Sequence, residues 1–359
     1  MRVALVSDCY LPRLGGIELQ VHDLAVQLIR AGHQVTVFTL TDGPPSAGDV
    51  PVVRLPSLTG MPLPVAVERL RYELAGFDVV HSHSSLVSPL AWRAARMART
   101  ALITMHSLPG STMPWPVAQI DRYAGNAQWT AVSETVANRL RRSLPKGSVK
   151  VLHNGVDPAA WRATARTEHR PTIVSTMRLA RRKRPDALLR TLEKIRELTP
   201  SAVDLRAVIV GAGPRERALA TEVRRSGMAS WVDLPGRLTR YEIQALYASA
   251  DVYLAPAELE SFGVAALEAR CAGLPVVAMA SGGVREFIRP GIEGFLVHDD
   301  TEMARTVAAL LSNSTVLERM QAHNQNTDPV MTWERVITQH VAAYTAQLAL
   351  SERSLASTA

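Results

Sequence analysis

Two carboxylates stand in an otherwise apolar stretch, ELESFGVAALEARCAGLPV at residues 258–276, with Glu260 before a Ser-Phe-Gly turn and Glu268 after it. The preceding DVYLAPA reads as a strand, and the residues after the turn as a helix capped by Ser261 with Val264, Leu267 and Cys271 on its apolar face. At 1.5 Å of rise per residue the two acids lie roughly 12 Å apart along the axis, too far to share one proton. Their spacing suits separate hydroxyl-rich parts of one extended ligand, with the backbone N–H groups of Phe262, Gly263 and Val264 available to an anion lying between them.

Cations stand where such an anion would need them. RLARRK, residues 178–183, follows the strand PTIVSTM, so Arg178 offers a planar fork and Lys183 a point charge at a strand's carboxyl end, a suitable pair for a diphosphate. GGIE, Gly15 to Glu18, opens a helix after the first strand, and Gly15 and Gly16 leave backbone N–H groups uncovered there; a plain tight turn is the other reading. His106, in TMHS, also ends a strand, either as a structural histidine or beside a reacting sugar or phosphate. His81 and His83 share one strand face with no carboxylate or thiolate nearby, which makes a poor metal site and reads as lining or packing. VGAGPRE, residues 210–216, is a weak match to a dinucleotide fingerprint, despite Asp233 at the right distance, because Glu216 replaces the third glycine and Pro214 sits in the turn. A turn that lets a ligand pass close to the backbone fits it better.

The elements that must position these residues alternate. RVALVS, a loop, the periodic IELQVHDLAVQLIRAG and HQVTVFTL make a strand–helix–strand unit, continued by DVVHSHS, PLAWRAARMAR, ALITMHS, WTAVS and SVKVLHNG. The rhythm restarts with PTIVSTM, PDALLRTLEKIRELT and DLRAVIVGAG, then YEIQALYASA, DVYLAPA, GLPVVAMA and EGFLVH. The class is therefore α/β, with two doubly wound domains of parallel strands whose carboxyl ends face a shared cleft. The boundaries fall at residues 1–165 and 166–331, with AAWRATARTEHR as linker. Residues 332–359 form a terminal helix, bearing Trp333, Val336, Ile337, Val341 and Tyr344 on one side, and a frayed tail, ERSLASTA.

The 359 residues, 47% of them hydrophobic, suffice for two cores and exclude general disorder. A net charge of +7 arises from 40 basic against 33 acidic residues spread along the chain, which permits an anionic substrate without demanding nucleic acid. An aromatic content of 5% argues against a nucleic-acid surface. Cys9 and Cys271 make neither a disulfide framework nor a zinc pattern, so a reducing cytoplasm is expected. The apolar run after Met1 is too short for a signal peptide, and no run is long enough to cross a bilayer.

Together these motifs resemble the retaining, metal-independent glycosyltransferases of family 4, the glycosyl transferases of group 1. The resemblance covers nearly the whole chain through DCYLPRLGGIE, HNGVD at 153–157, Arg178 with Lys183, VGAGP, and ELESFGVAALEARCAGLPVVA followed by GGVREFI. It implies the GT-B fold, two Rossmann-like domains, with the N-terminal one holding the acceptor, the C-terminal one the nucleotide sugar, and the last helix crossing back to the N-terminal domain. Glu260 would then bind donor-sugar hydroxyls and Glu268 the nucleotide ribose. Arg178 and Lys183 would neutralise the diphosphate with backbone help at Gly15, Gly16 and Gly263. His106 matches the histidine beside the transferred sugar, and Arg237 and Leu238, in PGRL, the place where the base is read. No cofactor or metal is implied. The chain departs from the family at Arg184 and Pro185, where glycine is common.

The implied activity moves a hexose or N-acetylhexosamine from a UDP- or GDP-sugar to a lipid, glycan or small-molecule acceptor in envelope or glycoconjugate synthesis. Arg93, Arg96 and Arg99, with Trp92 and Met97, fit a helix resting on an anionic membrane, or an ordinary solvated face. A peripheral place at the inner face of the plasma membrane follows from the first reading. HSHSSLVSP and GGIE resemble enzymes that glycosylate phosphatidylinositol. The rival classes are a nucleotide-sugar epimerase on the same fold and a nonenzymatic basic protein binding nucleotides or membranes.

Overall fold

The computed structural model describes residues 1–108, 114–125, 127–144, 148–162 and 170–356; most of the expected linker, at 163–169, and the end of the tail, at 357–359, lie outside them. The chain divides into two compact units, Met1–Gly155 with Trp333–Ala359, and Val156–Thr332.

The strands of the first unit are β1 (Arg2–Ser7), β2 (Gln34–Thr39), β3 (Ser46–Ala47), β4 (Val50–Arg54), β5 (Ser57–Leu58), β6 (Met61–Pro62), β7 (Val79–Ser84), β8 (Ala101–Met105), β9 (Gln128–Ala131) and β10 (Val149–Val151). Its helices are α1 (Gly16–Arg30), α2 (Pro64–Leu74), α3 (Pro89–Met97), α4 (Pro114–Ala124) and α5 (Glu134–Arg141). The main sheet runs β10-β9-β8-β7-β1-β2-β4-β3, parallel except for the antiparallel β3–β4 pair, while β5 and β6 form a separate hairpin. Successive residues of β1 serve opposite layers, as a strand's period of two requires. Val3 and Leu5 pack with Val21, Leu24 and Leu28 of α1, and Ala4 and Val6 with Phe38, Leu70 and Leu90. Burial on both faces explains why β1 is a continuous apolar run.

The second unit contains α6 (Pro158–Trp161), β11 (Thr172–Thr176), α7 (Pro185–Leu198), β12 (Arg206–Val210), α8 (Glu216–Arg225), β13 (Val232–Gly236), α9 (Arg240–Ala248), β14 (Val252–Ala255), α10 (Val264–Cys271), β15 (Val276–Met279), β16 (Gly294–Val297), α11 (Asp300–Leu311) and α12 (Ser314–Asn326). Its sheet, β13-β12-β11-β14-β15-β16, is parallel throughout. That order reverses its winding between β11 and β14, as in a Rossmann sheet, and the loops leaving those two strands diverge to leave room for a ligand. In the first unit the reversal falls between β1 and β7.

The terminal helix α13 (Trp333–Ala356) packs in the first unit, with Trp333, Val336 and Tyr344 in the core beside α1. It runs on through Glu352 to Ala356, so the expected frayed tail is helical that far. At the start of the expected linker, Pro158–Trp161 form α6, where Asp157 caps the first turn and Trp161 is buried with its ring 5.8 Å from that of Tyr247. Gly155 lies against the Trp333 indole so closely that a Cβ would come within 2.4 Å of the ring. Gly155→Ala must therefore displace the indole or the loop, and a loss of about 1–3 kcal/mol is expected from overpacking. A lowered urea midpoint would show it; a midpoint equal to that of the parent would contradict the contact.

Candidate functional site

The residues singled out in the second unit gather at its winding reversal. After β11 the chain passes Arg178, which is exposed, and turns through a short 3-10 helix, Arg181–Lys183. Lys183 extends its Nζ to Glu260 Oε2 at 2.5 Å, in the loop that follows β14. Both side chains are largely buried, 28% and 17% exposed, so this pair is shielded more than a surface ion pair. Glu260 is further fixed by Ser261, whose N–H donates to its Oε1 at 3.1 Å, and by its own carbonyl, which accepts from Gly283 N–H at 2.9 Å. A Cβ at Gly283 would lie 2.3 Å from the Ser261 carbonyl oxygen, so the second glycine of GGVREFI is what lets that loop reach Glu260.

Ser261 is not the helix cap. Gly263 takes that position at φ +95°, where an L side chain is strained, and a Cβ there would meet Val284 at 2.6 Å. The turn thus presents the first N–H groups of α10, with Phe262 buried behind them and Val264 half-buried as the first helical residue. Glu268 lies half-buried farther along α10. Burial raises the phenols of Tyr247 and Tyr253 above their ordinary range, and the nearby Glu268 carboxylate adds to the effect; both hydroxyls bond to Thr176, through its Oγ1 at 2.9 Å and its carbonyl at 3.0 Å. The far end of α10 is pinned by buried Arg270, 3.5 Å from Glu293. Burial alone would raise Glu293, but bonds from Arg289, the Arg270 charge and His323 outweigh it and hold the acid at about 2.

At Arg184, where the family pattern suggests glycine, the backbone is left-handed, φ 58° and ψ 43°, which accounts for glycine's suitability there. The arginine is held by two bonds to Asp300, at 2.9 and 3.0 Å, by the Pro256 carbonyl at 2.9 Å and by Glu258 at 3.1 Å. The loop path is thereby tied to α11. Arg237 is exposed and Leu238 half-buried in the loop after β13.

The glycines of VGAGP leave room for neighbouring main chain. A Cβ at Gly211 would lie 1.8 Å from the Met177 carbonyl oxygen and one at Gly213 2.5 Å from that of Leu179. What comes close is the main chain that carries Arg178. Asp233 is paired with Arg206 at 2.7 Å, which leaves the dinucleotide reading without its ribose-binding acid.

In the first unit Gly15 caps α1 in an extended conformation, and a Cβ there would come within 2.4 Å of Glu18 Oε2. The buried Glu18, paired with Arg13 at 3.2 Å, brings a carboxylate to the end of the helix where a phosphate was expected. Gly16 is exposed. The loop before them is held by Arg54, which donates to the carbonyls of Leu11 and Thr41, and by Asp8, which accepts from the N–H groups of Leu90 and Ala91 at the start of α3. Burial, partly opposed by those two bonds, raises Asp8 to about 6.

His106 follows β8, its Nε2 2.9 Å from His83 Nδ1. His81, His83 and His340 lie in the same patch, a grouping the alternation of DVVHSHS showed for the first two but not for the other pair. Burial lowers all four imidazoles: His106 to about 3 and His340 to about 4, with neighbouring imidazoles adding a smaller push. On α3, Arg96 turns to the Tyr123 ring and carbonyl, and Trp92 donates to Ser84, so two members of the expected membrane face have partners inside the protein.

Two family models match in succession: Glycosyltransferase Family 4 over residues 14–160 and Glycosyl transferases group 1 over residues 159–327. A GDP-mannose-dependent alpha-(1-6)-phosphatidylinositol monomannoside mannosyltransferase of Mycobacterium tuberculosis is 31% identical over 86% of this chain and 89% of its own. This chain belongs to the group 1 glycosyltransferases. It is an enzyme that takes its glycosyl group from a nucleotide sugar. A phosphatidylinositol N-acetylglucosaminyltransferase component from Arabidopsis thaliana is 28% identical over 99% of this chain and 84% of its own. The crystal structure of Anabaena HepE in complex with UDP and glucose matches with a TM-score of 0.79 at 19% identity, over 96% of this chain and 100% of that one. That likeness shows the fold, two Rossmann-like units of the GT-B class.

The buried groups of the first unit set an acid sensitivity for this glycosyltransferase. Because the four imidazoles are held below their ordinary 6.5, the unfolded chain binds more protons below that pH, and the stability they contribute is lost as pH falls. Asp8, raised from 3.8 to about 6, acts with opposite sign: its contribution is complete below pH 4 and lost as pH rises through 6. Four groups outweigh one, so the unfolding free energy from urea titration should fall between pH 7 and pH 5, by about 1.4 kcal/mol per pH unit for each net proton taken up. His340→Phe should make that slope shallower, and an unchanged slope would contradict the assignment.

Proposed function

We propose that this enzyme is a retaining, metal-independent transferase that moves a hexose or N-acetylhexosamine from a UDP- or GDP-sugar to a lipid or glycan acceptor. The observation that carries the reading is the Lys183–Glu260 pair at the winding reversal of the second unit, beside the Gly263-capped start of α10. Glu260 offers a fixed carboxylate to sugar hydroxyls, the α10 N-terminus and Lys183 offer positive charge to phosphate, and Glu268 lies farther along the same helix for the ribose.

The chemistry assigned to this arrangement breaks the bond from the anomeric carbon to the diphosphate oxygen and forms one to the acceptor oxygen on the same face. The acceptor's proton passes to the leaving phosphate oxygen. Negative charge grows on the diphosphate as the bond breaks, so Lys183 and Arg178 act mainly on the transition state. His106 stands beside the transferred sugar in this reading, and Arg237 and Leu238 beside the base.

The lipid acceptor is supported by the relatives, two of which are named for phosphatidylinositol substrates. Leu58 and Met61 on the β5–β6 hairpin and Val65 and Tyr72 on α2 are exposed on consecutive elements of the first unit, apolar side chains available for contact with lipid. Among the described residues no helix is long and apolar enough to cross a membrane, so this reading places contact at the membrane surface.

Lys183→Ala should lower kcat by at least about a hundredfold, the scale of one lost transition-state contact, and Glu268→Ala should lower kcat/KM mainly through weaker donor binding, while circular dichroism stays unchanged in both. Full activity in both would sink the donor-site reading. Thermal shifts with UDP-, GDP-, ADP- and TDP-sugars should show stabilisation by one donor class, reduced in Glu268→Ala.

A further inference from the structure

Arg184 adjoins Lys183, but its guanidinium faces protein oxygens. It donates from Nη1 to the Pro256 carbonyl and to Asp300 Oδ1, each at 2.9 Å, and from Nη2 to Asp300 Oδ2 at 3.0 Å, with Glu258 Oε1 3.1 Å away. Two carboxylates and a carbonyl thus engage both terminal nitrogens of a side chain that is 25% exposed. The planar fork suits this use, since it meets the Asp300 carboxylate with two bonds and still reaches a second loop.

The backbone of Arg184 is left-handed, φ 58° and ψ 43°, where glycine would sit without strain and a side chain has to be held in place. What this side chain holds is two loops. One is residues 181–184, which carries Lys183 and leads into α7, where the Leu188 N–H donates to the Arg184 carbonyl at 3.0 Å. The other is residues 256–260, which carries Glu260 and is also fixed by Ser281 and Gly283, donating to the carbonyls of Glu258 and Glu260 at 2.9 Å each. The loops are joined at two points, by Lys183 on Glu260 and by Arg184 on Pro256 and Glu258.

We infer that Arg184 is a positioning residue, a clasp that keeps the Lys183 loop against the Glu260 loop once a nucleotide sugar has parted the Lys183–Glu260 pair, so that Lys183 stays within reach of the leaving diphosphate. This rests on the reading that places Lys183 and Glu260 at the donor. In that reading the phosphate takes Lys183 and the sugar hydroxyls take Glu260, so the first joint opens on binding. The second is made with protein groups and persists. Fixing a charge before the bond breaks is what makes it effective in the transition state, and the strain stored at a left-handed arginine is the local cost of that fixity.

The test is a double-mutant cycle on the full chain, with kcat read as release of nucleoside diphosphate from UDP-glucose and from GDP-mannose, water or phosphatidylinositol vesicles serving as acceptor. Arg184→Gly removes the clasp at a backbone that glycine tolerates. It should lower kcat by about tenfold or more, the scale of a misplaced catalytic group, with little change in the affinity for UDP or GDP. In the Lys183→Ala background the same substitution should have little further effect, because the group it positions is gone. Asp300→Asn leaves the backbone at 184 untouched and sets an amide N–H against the guanidinium, so it should lower kcat by a smaller factor with the same dependence on Lys183. Equal losses with and without Lys183 would mark a general structural role and overturn the inference. Parental kcat in both Arg184→Gly and Asp300→Asn would overturn it as well, and weaker binding of UDP and GDP with kcat unchanged would make Arg184 a phosphate ligand instead. Full release by Lys183→Ala refutes the donor-site reading itself, whereas loss in Lys183→Ala beside parental kcat in Arg184→Gly refutes only the clasp, so the two failures are distinguishable.

Discussion

Parallel strands covered on both faces leave charged groups almost nowhere to go except the strand ends, and this constraint shapes both units. In the second unit β11 and β14 are neighbours whose following loops diverge, and the paired charges Lys183 and Glu260 meet there because each leaves its sheet at that reversal. Buried anywhere along those strands, either group would lose its solvation without a partner. The glycines around them follow from the same crowding. Gly211, Gly213 and Gly283 each leave room for main chain that a Cβ would block, and Gly263 turns the chain into α10.

The first unit meets the constraint differently. Its strand ends carry polar groups inward, but as neutral imidazoles and hydroxyls rather than ions, linked from Tyr344 through His81, Thr104 and Thr130 to a main-chain carbonyl. That chain also joins α13 to the sheet, since Tyr344 comes from the last helix and His81 from β7. The returning helix is thus held by apolar packing of Trp333 and Val336 and by a directional hydrogen bond that specifies its rotation.

Part of the candidate donor site was legible in the sequence because its grouping depends on residue type and local spacing. Glu260, Gly263 and Glu268 lie within one turn and one helix, and Arg178 and Lys183 follow the strand PTIVSTM. The errors were also local in origin. Ser261 has the chemistry of a cap, but the backbone reversal needed at that point assigned the cap to Gly263. The glycines of VGAGP signal a close approach without saying of what, and the approaching chain came from the loop after β11, more than thirty residues earlier.

From residue types and their order alone came the alternation of strands and helices, the restart that makes a second unit, and the acids and cations that a sugar diphosphate would need. These follow from periodicity and from chemistry carried by neighbours in the chain. Only the tertiary structure decided which groups became partners: Lys183 with Glu260, Arg184 with Asp300, and His83 with His106. Those pairings depend on which strands lie side by side and on a few ångströms of loop path, and separations of 77 and 116 residues leave no local pattern to announce them.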